Sequence, residues 1–224
     1  MFDRHSIPLV RMALLAGVLA GSIACSTSTV PVPLRLALIT HAAFFSQETN
    51  QNPALDPQVF VRDASAPAAT SPQNIRHLAG MRNALLTDPS ATPIYNANGV
   101  LLDGFTLGSW LGARGDVTIV PAGTMGAAIV VTMTGLRPRG VYSLFENHFD
   151  ETPVGFTPLD GSGTSNTFTA DAQGSARITV TAPHVPTHDN AVLLVYHSDG
   201  MARGTERGPI GVTAHHQLIV RIPQ

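Results

Sequence analysis

Four histidines stand at the ends of strand-like apolar runs. His148 closes "VYSLFENH" (141–148), His197 closes "AVLLVYH" (191–197), and His215 and His216 open "AHHQLIVRI" (214–222). Neutral imidazole is a ligand for zinc and copper, and three of them beside a carboxylate such as Asp199 or Glu146 would suit either metal. If the last two runs pair as an antiparallel hairpin, His197 and His215/His216 share one end of it. His148 joins them if its strand runs parallel in space to 191–197. The candidate metal set is therefore His148, His197 and His216. Strict alternation places His216 inward with Leu218, Val220 and Ile222, and His215 outward with Gln217 and Arg221. His184 and His188 precede the 191–197 run and belong to its opposite end. A plainer reading remains open: the nine histidines are polar residues where strands meet water, since the spacing contains neither H-x-H nor H-E-x-x-H.

Other chemistries leave weaker traces. There is no G-x-S-x-G elbow, and no Ser/His/Asp triad can be picked out of scattered residues. "DGSGTSN" (160–166) lacks the lysine and following helix of a phosphate loop. No D-x-D-x-D-G run supports calcium. "RGD" (114–116) opens an apparent strand. In "HSDG" (197–200), Asp199 is placed to bond the backbone while Gly200 supplies a positive φ, an Asx-type turn. Trp110 and Tyr142 read as core aromatics. Whether the chain is an enzyme is left open.

The elements that must position these residues are mostly strands. "LRLALIT" (34–40) alternates as one strand, and "SQETNQNPALDPQ" (46–58) has no periodicity and reads as loop. One helix is expected near 72–87, with Ser71 as cap, Pro72 in the first turn, and Ile75, Leu78, Met81 and Leu85 at helical spacing. Beyond Pro93 the texture is all-β, with Asn98-Gly99 as a tight turn. Strand-like segments follow at 105–111, 114–120, 127–134, 141–148, 166–170, 175–182, 191–197 and 214–222. Short strands punctuated by "PAGTMG", "GLRPRG" and "DAQG" indicate an all-β fold, a Greek-key-like antiparallel β-sandwich with one short N-terminal helix. The expected organisation is an export signal over 1–25, a tether and N-terminal extension over 26–92 with that helix, and a β-sandwich domain over 93–224.

The first residues carry a different message. Arg4, His5 and Arg11 precede "MALLAGVLAGSIA", an apolar run from Met12 to Ala24. As a helix it would rise only about 20 Å against a bilayer core of about 30 Å, so it reads as an export signal rather than a span. The only cysteine, Cys25, follows at once. "SIAC" resembles the bacterial lipobox, with Ser22 where leucine is usual, and the resemblance implies that Cys25 is lipidated and anchors the protein to a membrane. Ordinary signal-peptidase cleavage after Ser22-Ile23-Ala24 is the other possibility. Either way the chain is exported, to the cell envelope (outer membrane or periplasm) or beyond it. Net charge is −2, and the thirteen cations are all scattered arginines. That excludes a nucleic-acid partner, which requires clustered cations.

Over about residues 93–222, "LLDGFTLGSWLGARGDVTI", "TGLRPRGVYSLF", "NTFTADAQGSARITV", "VYHSDG" and "AHHQLIVRI" carry a T-L-G-x-W, G-L-x-P-x-x-x-Y and H-x-D-G pattern. This succession resembles a group of uncharacterised exported bacterial and archaeal β-sandwich lipoproteins, which implies a fold and an exported location but no activity. A fainter fold-level resemblance is to the Cu/Zn superoxide dismutase sandwich, through "VVTMTGLRPRGVYSLFENH". That family's H-x-H pair is missing, and Tyr142, Leu144 and Glu146 occupy the corresponding face. Together these readings point first to an envelope-anchored or secreted β-sandwich protein with a non-enzymatic binding or structural role. The alternative is a histidine-ligated copper or zinc protein with a superoxide-dismutase-like sandwich. The protein or small-molecule partner is unknown at this level.

Overall fold

A computed structural model describes residues 32–123 and 126–224. The export signal, Cys25 and the first residues of the expected tether lie outside the described residues. The elements in chain order are β1 (Leu34–Thr40), α1 (His41–Glu48), β2 (Leu55–Arg62), β3 (Ala69–Ser71), β4 (Ile75–His77), β5 (Met81–Leu85), β6 (Pro93–Tyr95), β7 (Leu101–Thr106), α2 (Leu107–Leu111), β8 (Arg114–Pro121), β9 (Ala127–Thr134), β10 (Val141–His148), β11 (Gly155–Pro158), β12 (Thr167–Thr169), β13 (Ala176–Ala182), β14 (Asn190–His197) and β15 (Ala214–Arg221). Over the described residues the protein is all-β with two short α-helices, and every pairing between these strands is antiparallel.

One sheet dominates, in the order β11-β10-β14-β15-β1-β8-β9-β13, with β12 also on the free edge of β10. β1 holds this sheet together. Its residues Leu34–Leu38 pair with β8, while Ile39 and Thr40 pair with β15. The sheet curls, so that Val117, Ile129 and Val180 from one wing share a core with Leu144, Leu194 and Leu218 from the other. Trp110 and Tyr142 are buried in that core, as expected of them. A second sheet, β5-β2-β6-β7, adds Val59, Val61 and Ile94 to the same core. Because β1 is an interior strand, the expected boundary at residue 93 does not separate an extension from the β-domain.

A smaller apolar layer covers the outer face of β10, β14 and β15. Phe145, Leu193, Val195 and Ile219 form it, with Phe44, Phe149, Phe156 and Ile210 packed around them. Phe44 comes from α1, which follows β1 directly. Thr40 Oγ1 accepts from the Ala43 amide at 3.3 Å and starts the helix, and Ser46 Oγ donates to the Leu55 carbonyl at 2.9 Å, tying it to β2. The segment expected as loop over 46–58 thus contains the end of α1 and the start of β2.

The helix expected near 72–87 is absent. Ser71 makes no side-chain cap bond, and Gln73 and Asn74 take φ of 62° and 58°. That left-handed pair reverses the chain between β3 and β4, and Gly80 takes φ +80° before β5. Ile75, Met81 and Ala84 are buried as strand residues, whereas Leu78, on the expected helix stripe, is exposed. A helical spacing was imitated by two short strands around a turn. The 105–111 segment also departs from expectation: β7 ends at Thr106, which caps α2 through reciprocal bonds with Ser109. The Asn98-Gly99 turn is present, with Gly99 at φ +72° and Asn96 Oδ1 accepting from the amides of Asn98 and Val100.

Candidate functional site

β14 and β15 do form the expected antiparallel hairpin, with His197 opposite Ala214 and Val195 opposite His216. His197 and His216 therefore lie at the same end. β10 runs antiparallel to β14, pairing Val141 with His197 and His148 with Asn190, so His148 sits at the other end. The three expected ligands do not converge. His148 bonds Thr157 Oγ1 at 2.8 Å through Nε2 and meets Asn190 Nδ2 at 3.2 Å. His197 Nε2 lies 2.7 Å from Ser143 Oγ, and burial lowers its pKa to about 4. Among the described residues no group of three or more His, Cys, Asp or Glu side chains could hold a metal ion. Glu146 is buried and meets His184 at 3.1 Å, while Asp199 pairs with Arg203 and accepts from the Met201 amide in the expected Asx turn.

The facing of the two adjacent histidines is the reverse of the alternation argument. The register slips between Leu194↔Leu218 and Val195↔His216, leaving Gln217 as an extra residue in β15. A bulge of this kind resets which side chains share a face. His215 accordingly lies beside Trp110 and Tyr196, toward the main core, and is buried rather than solvent-facing. His216 is on the outer face beneath α1, with its ring against His41 and Phe156.

Inside the core, a carboxylate organises the polar groups. Asp56 is fully buried, its Oδ1 accepting from the amides of Gln58 at 2.8 Å and Val59 at 3.0 Å. Trp110 Nε1 donates to its Oδ2 at 2.9 Å. Desolvation nevertheless raises the Asp56 pKa to about 6, because these three bonds only partly offset it. His215 Nδ1 reaches the Gln58 carbonyl at 3.2 Å. A carbonyl only accepts, so His215 carries its proton on Nδ1.

On the outer face the balance of donors and acceptors is different. The His216 backbone N–H donates to Gln58 Oε1 at 2.7 Å, and this fixes which end of the Gln58 amide is oxygen. Its Nε2 then donates to Gln73 Oε1 at 2.7 Å and to His216 Nδ1 at 3.0 Å, which commits both amide hydrogens. Burial holds the His216 pKa well below its ordinary value, so the ring is neutral. A neutral imidazole that accepts at Nδ1 carries its hydrogen on Nε2. At 3.3 Å from that Nε2 stands Arg207 Nη1, another donor. Two donors therefore converge with no acceptor between them.

Arg207 is unusual in a second way. Its guanidinium carbon lies 3.2 Å from the centre of the Phe156 ring, and burial lowers its pKa to about 10. Among the described residues it has no carboxylate within salt-bridge distance. A half-buried cation without a counter-ion is costly unless something else supplies the negative charge. It lines a cleft of about 980 Å³ between residues 151–156 and 205–209.

The loop that carries Arg207 is held by backbone contact. Gly163, at φ +75°, would bring a Cβ within 2.6 Å of Gly204 and Thr205, so the loops at 160–166 and 199–213 touch main chain to main chain. Asn166 Nδ2 donates to the Gly204 carbonyl at 3.1 Å, and Asp160 gathers the amides of Gly163, Thr164 and Ser165. None of His41, Gln58, Phe156 or Arg207 is marked by a sequence motif. The readable signal was the Thr40 cap before "HAAFFSQE", which would have placed His41 on a helix.

Comparison with protein-family models, with curated proteins and with solved structures finds no match. The functional reading rests on the geometry of this site.

Proposed function

We propose that the protein is an exported, envelope-anchored β-domain with a non-enzymatic binding role, and that it recognises a small anion or the anionic group of a small molecule at Arg207 and His216. The observation that carries this is the pair of donors, Arg207 Nη1 and the Nε2–H of His216, 3.3 Å apart with no acceptor. A carboxylate or phosphate oxygen placed against both would satisfy the two donors and neutralise the guanidinium. The curled sheet is read as a Greek-key-like sandwich, its opposed wings sharing the core.

The test is a titration of protein labelled with ¹⁵N in its histidine rings, using acetate and, separately, inorganic phosphate. The expected result is a saturable shift of the His216 Nε2 resonance with at least one anion, lost in Arg207→Met. No saturable shift with either anion would sink the reading. Anchoring is proposed through lipid on Cys25, supported by the apolar run before it and the lipobox-like "SIAC". Mass spectrometry of the mature N-terminus should find a lipidated Cys25, and Cys25→Ala should leave the protein in the soluble fraction. A mature N-terminus without lipid would end that part of the proposal.

A further inference from the structure

Beside the donor pair lies a second cavity, of about 280 Å³. Phe44, Phe45, Phe149 and Phe156 line it, with Glu48 also on its wall, and His216 opens onto it. Val154 and Phe156 line both this cavity and the Arg207 cleft. An oxygen bound between Arg207 and His216 would therefore belong to a molecule whose remainder has an aromatic chamber next to it. The volume sits just below the roughly 300–1,000 Å³ of sites for drug-sized ligands. One ring with short substituents is the scale that fits.

Two polar atoms of the lining bear on the rest of that molecule. His41 Nε2 is 3.4 Å from His216 Nδ1, which is an acceptor, so the His41 hydrogen belongs on Nε2. His41 Nδ1 is then a bare lone pair, buried and without a partner, and Asn147 Oδ1 is likewise buried and unpartnered. Both residues line the cavity and are at least nine-tenths buried. Burial lowers the His41 pKa to about 3, so this nitrogen remains an acceptor at ordinary pH. Buried acceptors lacking a donor are costly, and a ligand hydroxyl would remove that cost.

Resting on the anion-binding reading above, we infer that the ligand is a small hydroxylated aromatic carboxylate. Its carboxylate meets Arg207 and His216, its ring lies among the phenylalanines, and its hydroxyl donates to His41 Nδ1 or Asn147 Oδ1.

Affinities of the full exported domain for acetate, phenylacetate and 4-hydroxyphenylacetate, followed by the His216 ring resonance and by calorimetry, test this. Phenylacetate should bind roughly a hundredfold tighter than acetate, the size expected from burying one ring. The hydroxyl should add roughly another tenfold, the size expected of one well-made hydrogen bond. If acetate and phenylacetate bind alike, the inference falls while the anion site stands. Equal affinity with and without the hydroxyl also overturns the inference as stated. If none of the three shifts the resonance and phosphate does, the carboxylate assignment is wrong. If no anion shifts it, the underlying reading fails as well.

Discussion

His215 and His216 are neighbours in sequence and lie on opposite faces of one hairpin. On the inner face Asp56 takes three donors, the Trp110 indole and two β2 amides, while His215 bonds the Gln58 carbonyl through Nδ1. The outer face gives His216, Gln58 and Arg207 a surplus of donors. Although Glu151 and Glu206 line the same cleft, no carboxylate among the described residues is within salt-bridge distance of Arg207. Both regions are buried and polar. The difference teaches that burial alone does not mark a site. The Asp56 cluster, whose bonds close within the protein, holds the fold together even though His215 Nε2 beside it has no partner. Open donors that face a cleft, as at Arg207, are the ones prepared for something outside the protein.

Acidification should break both networks and produces the largest expected effect. His41, His197, His215 and His216 all have folded pKa values pushed below the ordinary 6.5 by burial, to about 3 for His41 and about 4 for His197 and His215. Such a group binds protons more readily in the unfolded chain, so stability falls as pH drops from about 6.5 toward those values. His197 and His215 each withdraw roughly 3 kcal/mol by about pH 4. Asp56 works the other way: its folded pKa is raised to about 6, so its burial penalty is relieved as pH falls from about 6 to 4, returning roughly 3 kcal/mol. Four histidines outweigh one aspartate. Circular dichroism should show cooperative unfolding between about pH 6 and pH 4, and a fold unchanged through that window would contradict the buried, neutral state of these rings.

Removing the inner acceptor is the next largest effect. Asp56→Ala leaves the Trp110 indole N–H and two β2 amides buried without a partner, at roughly 3–5 kcal/mol. Urea denaturation at neutral pH measures it. A loss under about 1 kcal/mol would mean that Asp56 is dispensable to the fold, and the contrast between the two faces would collapse.

Much of this fold was legible in the sequence, for a physical reason. β9 and β10 match the expected segments, and β8, β13, β14 and β15 lie within a residue of them, because each is an apolar run ended by turn residues that cannot continue a strand. The failures have reasons of the same kind. Ile75, Met81 and Leu85 satisfied a helical spacing only because that spacing does not see the break between β4 and β5, where Gly80 takes φ +80°. The facing of His215 and His216 was unreadable because one extra residue, Gln217, inverts the alternation upstream of it, and periodicity carries no sign of a bulge. The shared end of His197 and His216 was readable from hairpin adjacency, and the position of His148 depended on a strand direction that sequence does not encode. Arg207 left no trace, since what distinguishes it is a missing counter-ion, which is a property of its surroundings.

The smallest expected effect sharpens the comparison most. Arg207→Met keeps an unbranched apolar stem against Phe156 and removes a cation that is half-buried and unpaired. On the inner face, loss of the charged group strands three donors. On the outer face it strands nothing, because Arg207 accepts no bond and the Nε2–H of His216 already lacks an acceptor. The desolvation cost of the guanidinium disappears with it, offsetting the lost stacking on the ring. The variant should therefore match the parent protein within about 1 kcal/mol, on the stabilising side if either, in urea denaturation. A destabilisation above about 2 kcal/mol would make Arg207 a structural strut of its loop. The open donors would then be a by-product of packing, and the outer face would differ from the inner one in composition but not in purpose.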